Sequence, residues 1–169
     1  MNEQKIKLFF PTDAEHIKNL SPGTVVYISG TLYTARDQAH KRIAAAINCG
    51  EQLPFDLSTA AIYYCGPTPA PKGKVIGSCG PTTSGRMDAY TPALIERGLR
   101  VMIGKGVRNA AVTQAIKSHG AVYLTAIGGA AALYQSRVQC CELIAYPDLG
   151  CEAVYKLTVD DFPAVVSIV

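Results

Sequence analysis

From residue 74 onward, short apolar runs that end in glycine alternate with stretches of helical pattern. Residues 99–103 read as a buried strand that opens into Gly104-Lys105-Gly106 and a helix over 109–118. Residues 121–126 read as a strand that opens into Gly128-Gly129 and a short alanine-rich helix. Strand–helix alternation of this kind requires parallel strands joined by right-handed crossovers. Further strand character lies at 142–145, 153–159 and 164–169.

The first half is richer in strands: 5–10, 24–29 continued through 31–34, and 59–65. Thr12-Asp-Ala-Glu15 fits a capping box that opens a short helix through Leu20. Residues 35–48 form a clearer helix, with Ala35, Ala39, Ile43, Ala46 and Ile47 as its buried stripe and Gly50 as its stop. The expected fold class is α/β, one domain over residues 1–169 with a β-rich first half.

The stretch with most chemistry is Ile76-Gly-Ser-Cys-Gly-Pro-Thr-Thr-Ser-Gly-Arg-Met-Asp88. Residues 74–76 serve as a strand-like lead-in, and a helix is expected over about 87–97. A strand–loop–helix junction offers free N–H groups and a helix dipole to an anion. Thr82, Thr83 and Ser84 can donate to carboxylate oxygens, Gly85 permits close approach, and Arg86 can grip a carboxylate bidentately. A helix cap needs only one hydroxyl. The loop lacks the Gly-Lys-Ser/Thr ending of a P-loop and is not Gly-x-Gly-x-x-Gly. An anion-binding loop is the better reading.

Composition narrows the ligand. Sixteen basic against thirteen acidic residues give only +3, far from the dense basic patch of a nucleic-acid binder. No run of about eighteen apolar residues could span a membrane, and the start lacks a secretory pattern. A cytosolic chain that binds a small anion fits best. Of six cysteines, Cys49, Cys65, Cys79, Cys140, Cys141 and Cys151, none forms Cys-x-x-Cys. They read as buried thiols with no metal site, Cys79 being notable for adjoining the loop. Arg36, Asp37, His40 and Lys41 share a face near a helix start, which by composition is a solvated face with an Asp37–Lys41 pair.

Gly80-Pro-Thr-Thr-Ser-Gly-Arg-Met-Asp88 resembles the signature of the iron–sulfur-dependent (class I) fumarases, in their C-terminal domain or separate beta subunit. Four other stretches agree in order: Gly30-Thr-Leu-Tyr-Thr-Ala-Arg-Asp-Gln-Ala-His-Lys-Arg42, Gly104-Lys-Gly106, Ala126-Ile-Gly-Gly129, and residues 142–163 with Tyr146-Pro-Asp-Leu-Gly150 and Asp161-Phe-Pro163. The resemblance implies a swivelling β/β/α domain and reversible hydration of fumarate to malate. It also implies a four-iron–four-sulfur cluster held by a separate alpha subunit and not by this chain. The assembly would be a hetero-oligomer; a homodimer of this chain is open as well.

By the same resemblance Arg36 holds a substrate carboxylate, which displaces the solvated-face reading. Thr82 is the proposed base and Asp37 is counted with it as catalytic, while His40, in the same motif as Asp37, is a further candidate site residue. Thr83, Ser84, Gly85, Arg86 and Lys105 complete the substrate-binding set. Two alternatives stand. One is tartrate dehydratase, although Gly85-Arg-Met-Asp88 and Ile127-Gly-Gly129 look more like fumarase and Ala130 replaces a usual Pro. The other is a non-catalytic anion-binding or scaffold subunit.

Overall fold

The computed structural model describes residues 6–11, 13, 16 and 19–169. Strand β1 (Ile6–Phe10) lies parallel to β2 (Val25–Thr34), and β2 lies parallel to the short β3 (Ala61–Tyr63). β4 (Val101–Gly104) and β5 (Val122–Thr125) extend the parallel run. β6 (Val138–Ala145) and the long β7 (Val154–Ile168) then add antiparallel pairings. The sheet order is β1-β2-β3-β4-β5-β7-β6, and β7 also pairs with β2. That last pairing closes β2, β3, β4, β5 and β7 into a ring. The parallel strands required by the strand–helix alternation are present.

β3 and β4 are buried at every position, as strands covered on both faces must be. Alternate residues divide between two cores. Ala61, Tyr63, Val101 and Ile103 join Phe10, Ile28 and Phe162 in one; Ile62 and Met102 join residues of the helices in the other. Those helices are α1 (Asp37–Cys49), α2 (Thr91–Glu96) and α3 (Ala110–His119). The short α4 (Ala131–Arg137) contributes Tyr134 to the first core. There Tyr63, Tyr134 and Phe162 pack with ring centroids 4.5–6.1 Å apart, within the range of favourable aromatic geometry.

Helix α1 ends where expected and begins two residues later than expected, at Asp37. Gly50 takes the left-handed conformation (φ 68°) that only glycine adopts cheaply, and its N–H returns to the last turn. Asn109 caps α3 by accepting from Val112 N. The capping box proposed at Thr12-Asp-Ala-Glu15 falls largely outside the described residues.

Four expectations change. Residues 74–76 form no strand. Thr68 and Ser78 bond to each other across the proline-rich loop, so the segment is tied to that loop and not to the sheet. The helix expected over 87–97 is instead a 3-10 turn at Ser84–Met87 followed by α2, because the Asp88 carboxylate is engaged by Arg108 and by Asn109 N. The strands expected at 153–159 and 164–169 are one strand. It carries a bulge opposite Ile28 and Gly30, stitched by Ser29 Oγ to Asp160 Oδ1 (2.8 Å). Lastly, only Cys65 and Cys79 are buried, while Cys49, Cys140 and Cys151 are exposed because they fall at a helix end, an edge strand and a surface turn.

Candidate anion-binding site

The hydroxyl loop is held by main-chain bonds to the ends of β3 and β4. Thr82 N donates to Tyr64 O (2.6 Å), Ser84 N to Lys105 O (2.9 Å) and Lys105 N to Thr82 O (3.3 Å). Thr83 and Lys105 form an isolated parallel bridge. Gly104 makes this approach possible, since a Cβ there would collide with Ser84 Oγ and the Tyr64 ring. Thr82, Thr83 and Lys105 are therefore neighbours. Thr83 is exposed and Thr82 half-buried. The Lys105 stem runs over Gly128, which brings the glycine turns after β4 and β5 to one rim.

Arg36 stands just before α1 and Asp37 opens it. Arg36 Nε lies 3.1 Å from Glu152 Oε1 and 3.8 Å from Asp37 Oδ1. Gly66 packs directly on the Arg36 side chain, with no room for a Cβ. Arg86 Nη2 lies 2.9 and 3.0 Å from the two oxygens of Asp37. Two arginines from distant segments thus share one carboxylate. The Asp37–Lys41 pair expected of a solvated face gives way to this contact.

Burial raises the Asp37 carboxyl, but its backbone bond and Arg86 outweigh that and hold it below the usual carboxylate range. Burial, and then the charge of Asp37, push Glu152 above its ordinary value, with Arg36 opposing. At neutral pH the cluster holds two cations against two carboxylates of unequal acidity.

His40 is completely buried, not on a solvated face. Its Nδ1 lies 2.9 Å from Arg36 O, and its ring meets Tyr64 edge-on at 5.2 Å. Burial above all, with the charge of Arg108 acting in the same direction, lowers its pKa from 6.5 to about 4, against the opposing Arg36 carbonyl and Asp37. The ring is neutral, so Nδ1–H donates to the Arg36 carbonyl.

Ser84 is also fully buried, its hydroxyl 2.8 Å from Tyr123 OH, so it faces the interior while Gly85 and Arg86 face out. A pair that motif reading passed over lies beneath it. Arg108 donates from Nε to Asp88 Oδ1 (2.7 Å), from Nη2 to Thr91 Oγ1 (2.8 Å) and from Nη1 to Tyr64 OH (3.2 Å). Its guanidinium also lies 5.2 and 5.0 Å from the Tyr64 and Tyr123 ring centres. The available signal was Asp88 closing the hydroxyl motif and Arg108 following Gly104-Lys-Gly106. Glu152 gave no such signal.

A cavity of about 560 Å³ is lined by Ile47, Leu53, Phe55 and Arg97 and shares no lining residue with the Asp37 cluster or with the hydroxyl and Lys105 loops. The rim carrying Thr82, Arg86 and Lys105 is an open surface of hydroxyls and cations, which suits a small anion better than an apolar ligand. Among the described residues no helix is long and apolar enough to cross a membrane.

Residues 1–169 match the family model described as "Fumarase C-terminus". Fumarate hydratase 2 of Leishmania major is 43% identical over 95% of this chain, which covers 29% of that protein. The aerobic class I fumarate hydratase of Escherichia coli K12 is 44% identical over 83% of the chain, which covers 26% of it. The chain therefore spans less than a third of these relatives. A putative L(+)-tartrate dehydratase subunit beta of Methanocaldococcus jannaschii is 38% identical over 86% of the chain, and 77% of that subunit is covered. The family model and these relatives together show that the chain belongs to the fumarase C-terminus family.

Proposed function

We propose that this chain is the beta subunit of a hydro-lyase that reversibly hydrates fumarate to (S)-malate in the cytosol, active only with an alpha subunit. The observation that carries this reading is the convergence of Arg36 and Arg86 on Asp37, next to two adjoining loops that present Thr82, Thr83 and Lys105. Fumarate and malate are dianions. The arginines suit forked contacts with one carboxylate, and Lys105 adds a point charge for the other. Thr83, exposed at the loop tip, donates to a carboxylate oxygen.

Thr82 takes the C3 proton of malate. A threonine hydroxyl is a weak base in water, so it depends on neighbouring cations and N–H donors to stabilise its alkoxide. Asp37 sets the spacing of the two arginines and keeps them from repelling each other. His40, neutral and buried, braces the Arg36 carbonyl from below.

A four-iron–four-sulfur cluster is the group that class I fumarases use. This chain's residues do not fit one. Cys65 and Cys79 lie in the core; their shared hydrogen bond and burial push the Cys65 thiol well up, away from the thiolate a cluster needs. Among the described residues no three Cys, His, Asp or Glu side chains converge. The reading therefore assigns the cluster to the alpha subunit and routes no step through this chain's cysteines.

The M. jannaschii relative, whose own length is largely covered, favours tartrate dehydratase as the second reading. A purely anion-binding scaffold subunit is the third. The test is activity of this chain, with and without a cluster-bearing partner, on fumarate, mesaconate and tartrate. Fumarate hydration only in the complex supports the reading. Preference for tartrate transfers the assignment, and inactivity on all three leaves only anion binding.

A further inference from the structure

We propose that Asp88 and Arg108 are positioning residues that fix the hydroxyl loop against the Lys105 loop, and so set where the proposed base stands. The inference rests on the hydration reading for its catalytic consequence alone.

The main-chain contacts between the two loops are thin: Ser84 N to Lys105 O and Lys105 N to Thr82 O, which together make the isolated bridge of Thr83 with Lys105. Such contacts at a partly open rim do not by themselves hold a loop rigid. The side chains beneath them supply the rigidity. Asp88 ends the hydroxyl segment, and Arg108 lies three residues beyond Lys105. Their ion pair is completely dry on the arginine side. Each guanidinium nitrogen and each carboxylate oxygen of the pair has a hydrogen-bond partner. Asp88 Oδ2 accepts from Asn109 N, and the two terminal nitrogens of Arg108 donate to Tyr64 and Thr91. Tyr123 adds a second tie, contacting Ser84 Oγ and donating to Gly106 O (2.8 Å).

A buried ion pair with every nitrogen and oxygen hydrogen-bonded contributes little net stability compared with apolar packing, but it admits one geometry. Long arginine and lysine arms can follow a shifted ligand. A threonine hydroxyl two bonds from the backbone cannot. Loosening the pair therefore affects proton transfer before it affects carboxylate binding.

The test uses the double variant Asp88→Asn/Arg108→Met, which removes both charges and strands neither. Hydrogen exchange of the full chain should be faster, by roughly tenfold or more, at the Thr82, Ser84 and Lys105 amides, while β2 and β5 amides keep wild-type rates. In the complex, kcat for fumarate hydration should fall about 100-fold, with KM changed less than about threefold. Tyr123→Phe, a milder change, should speed the Ser84 and Lys105 amides alone and covers the case in which the double variant does not fold. Wild-type exchange at these amides, uniform acceleration across the sheet, or local loosening with unchanged kcat would each overturn the proposal. If the wild-type complex hydrates nothing, the function reading falls, and the exchange data still decide whether the latch exists.

Discussion

Arg86 Nη2 contacts both oxygens of Asp37, at 2.9 and 3.0 Å, across 49 residues of sequence. The guanidinium is about half exposed, its side chain being 48% accessible, so solvent screens the pair. It adds little to stability, on the order of 1 kcal/mol or less. Its effect is to bring the start of α1 and the hydroxyl loop to one place. Arg86→Ala and Arg36→Ala should each lower kcat/KM for fumarate by about 10- to 100-fold, the cost of a lost charged hydrogen bond. Thermal melts should hardly move for Arg86→Ala. Near wild-type kcat/KM in both variants would mean that the carboxylates are held elsewhere.

Thr82 and Thr83 should separate kinetically. Thr82→Ala removes the proposed base and should lower kcat by about 10²–10⁴-fold with little change in KM. Thr83→Ala should chiefly raise KM. Exchange of the malate C3 proton with heavy water should disappear with Thr82. Full turnover and exchange in Thr82→Ala would move the base to the partner or to the Asp37–His40 group.

His40 predicts a pH dependence of folding. Its pKa falls from 6.5 to about 4 on folding, so between those values the unfolded chain binds the proton more readily. The stability linked to this group is fully present above pH 6.5 and is lost as pH falls towards 4, amounting to about 3 kcal/mol. Urea unfolding at several pH values should show this slope, and His40→Asn should flatten it. An identical slope in the variant would assign the effect to other groups.

Thiol accessibility offers a check on the core. Cys49, Cys140 and Cys151 should react promptly with a maleimide in the native protein, and Cys141 more slowly. Cys65 and Cys79 should react only on unfolding. Mass spectrometry of labelled peptides reads each site, and prompt labelling of Cys65 would contradict the packing around β3.

What local pattern could and could not reveal follows the range of the forces involved. Helix α1 was legible because its apolar spacing and Gly50 are local signals, and β4 and β5 because each is an apolar run ending in glycine. Residues 74–76 look the same in one dimension, yet Thr68 draws them into the loop. The helix after the hydroxyl motif starts late because Asp88 is engaged by Arg108, twenty residues on. The face of Arg36 and Asp37 read as solvated because its partners, Arg86 and Glu152, are invisible at helical spacing. Motif resemblance named Arg36, Asp37, Thr82, Thr83, Arg86 and Lys105, and the fold brings the first, second and fifth together and the others beside one another. It did not show that Ser84 turns inward or that His40 is buried.

The closure of β2 on β7 bears on how the chain acquires its shape. Tyr155 N reaches Thr34 Oγ1 across 121 residues, and the two strands stay paired from Val25 to Tyr33. Non-local pairing of this kind must overcome loop-closure entropy before any contact repays it, which places folding in the slow, topology-limited class. Arg36 and the hydroxyl loop adjoin strands of that ring, and Glu152 lies just before β7. The candidate anion site therefore forms late and cooperatively: a chain whose ring has not yet shut has no Arg36–Glu152 contact, and so no assembled site to offer.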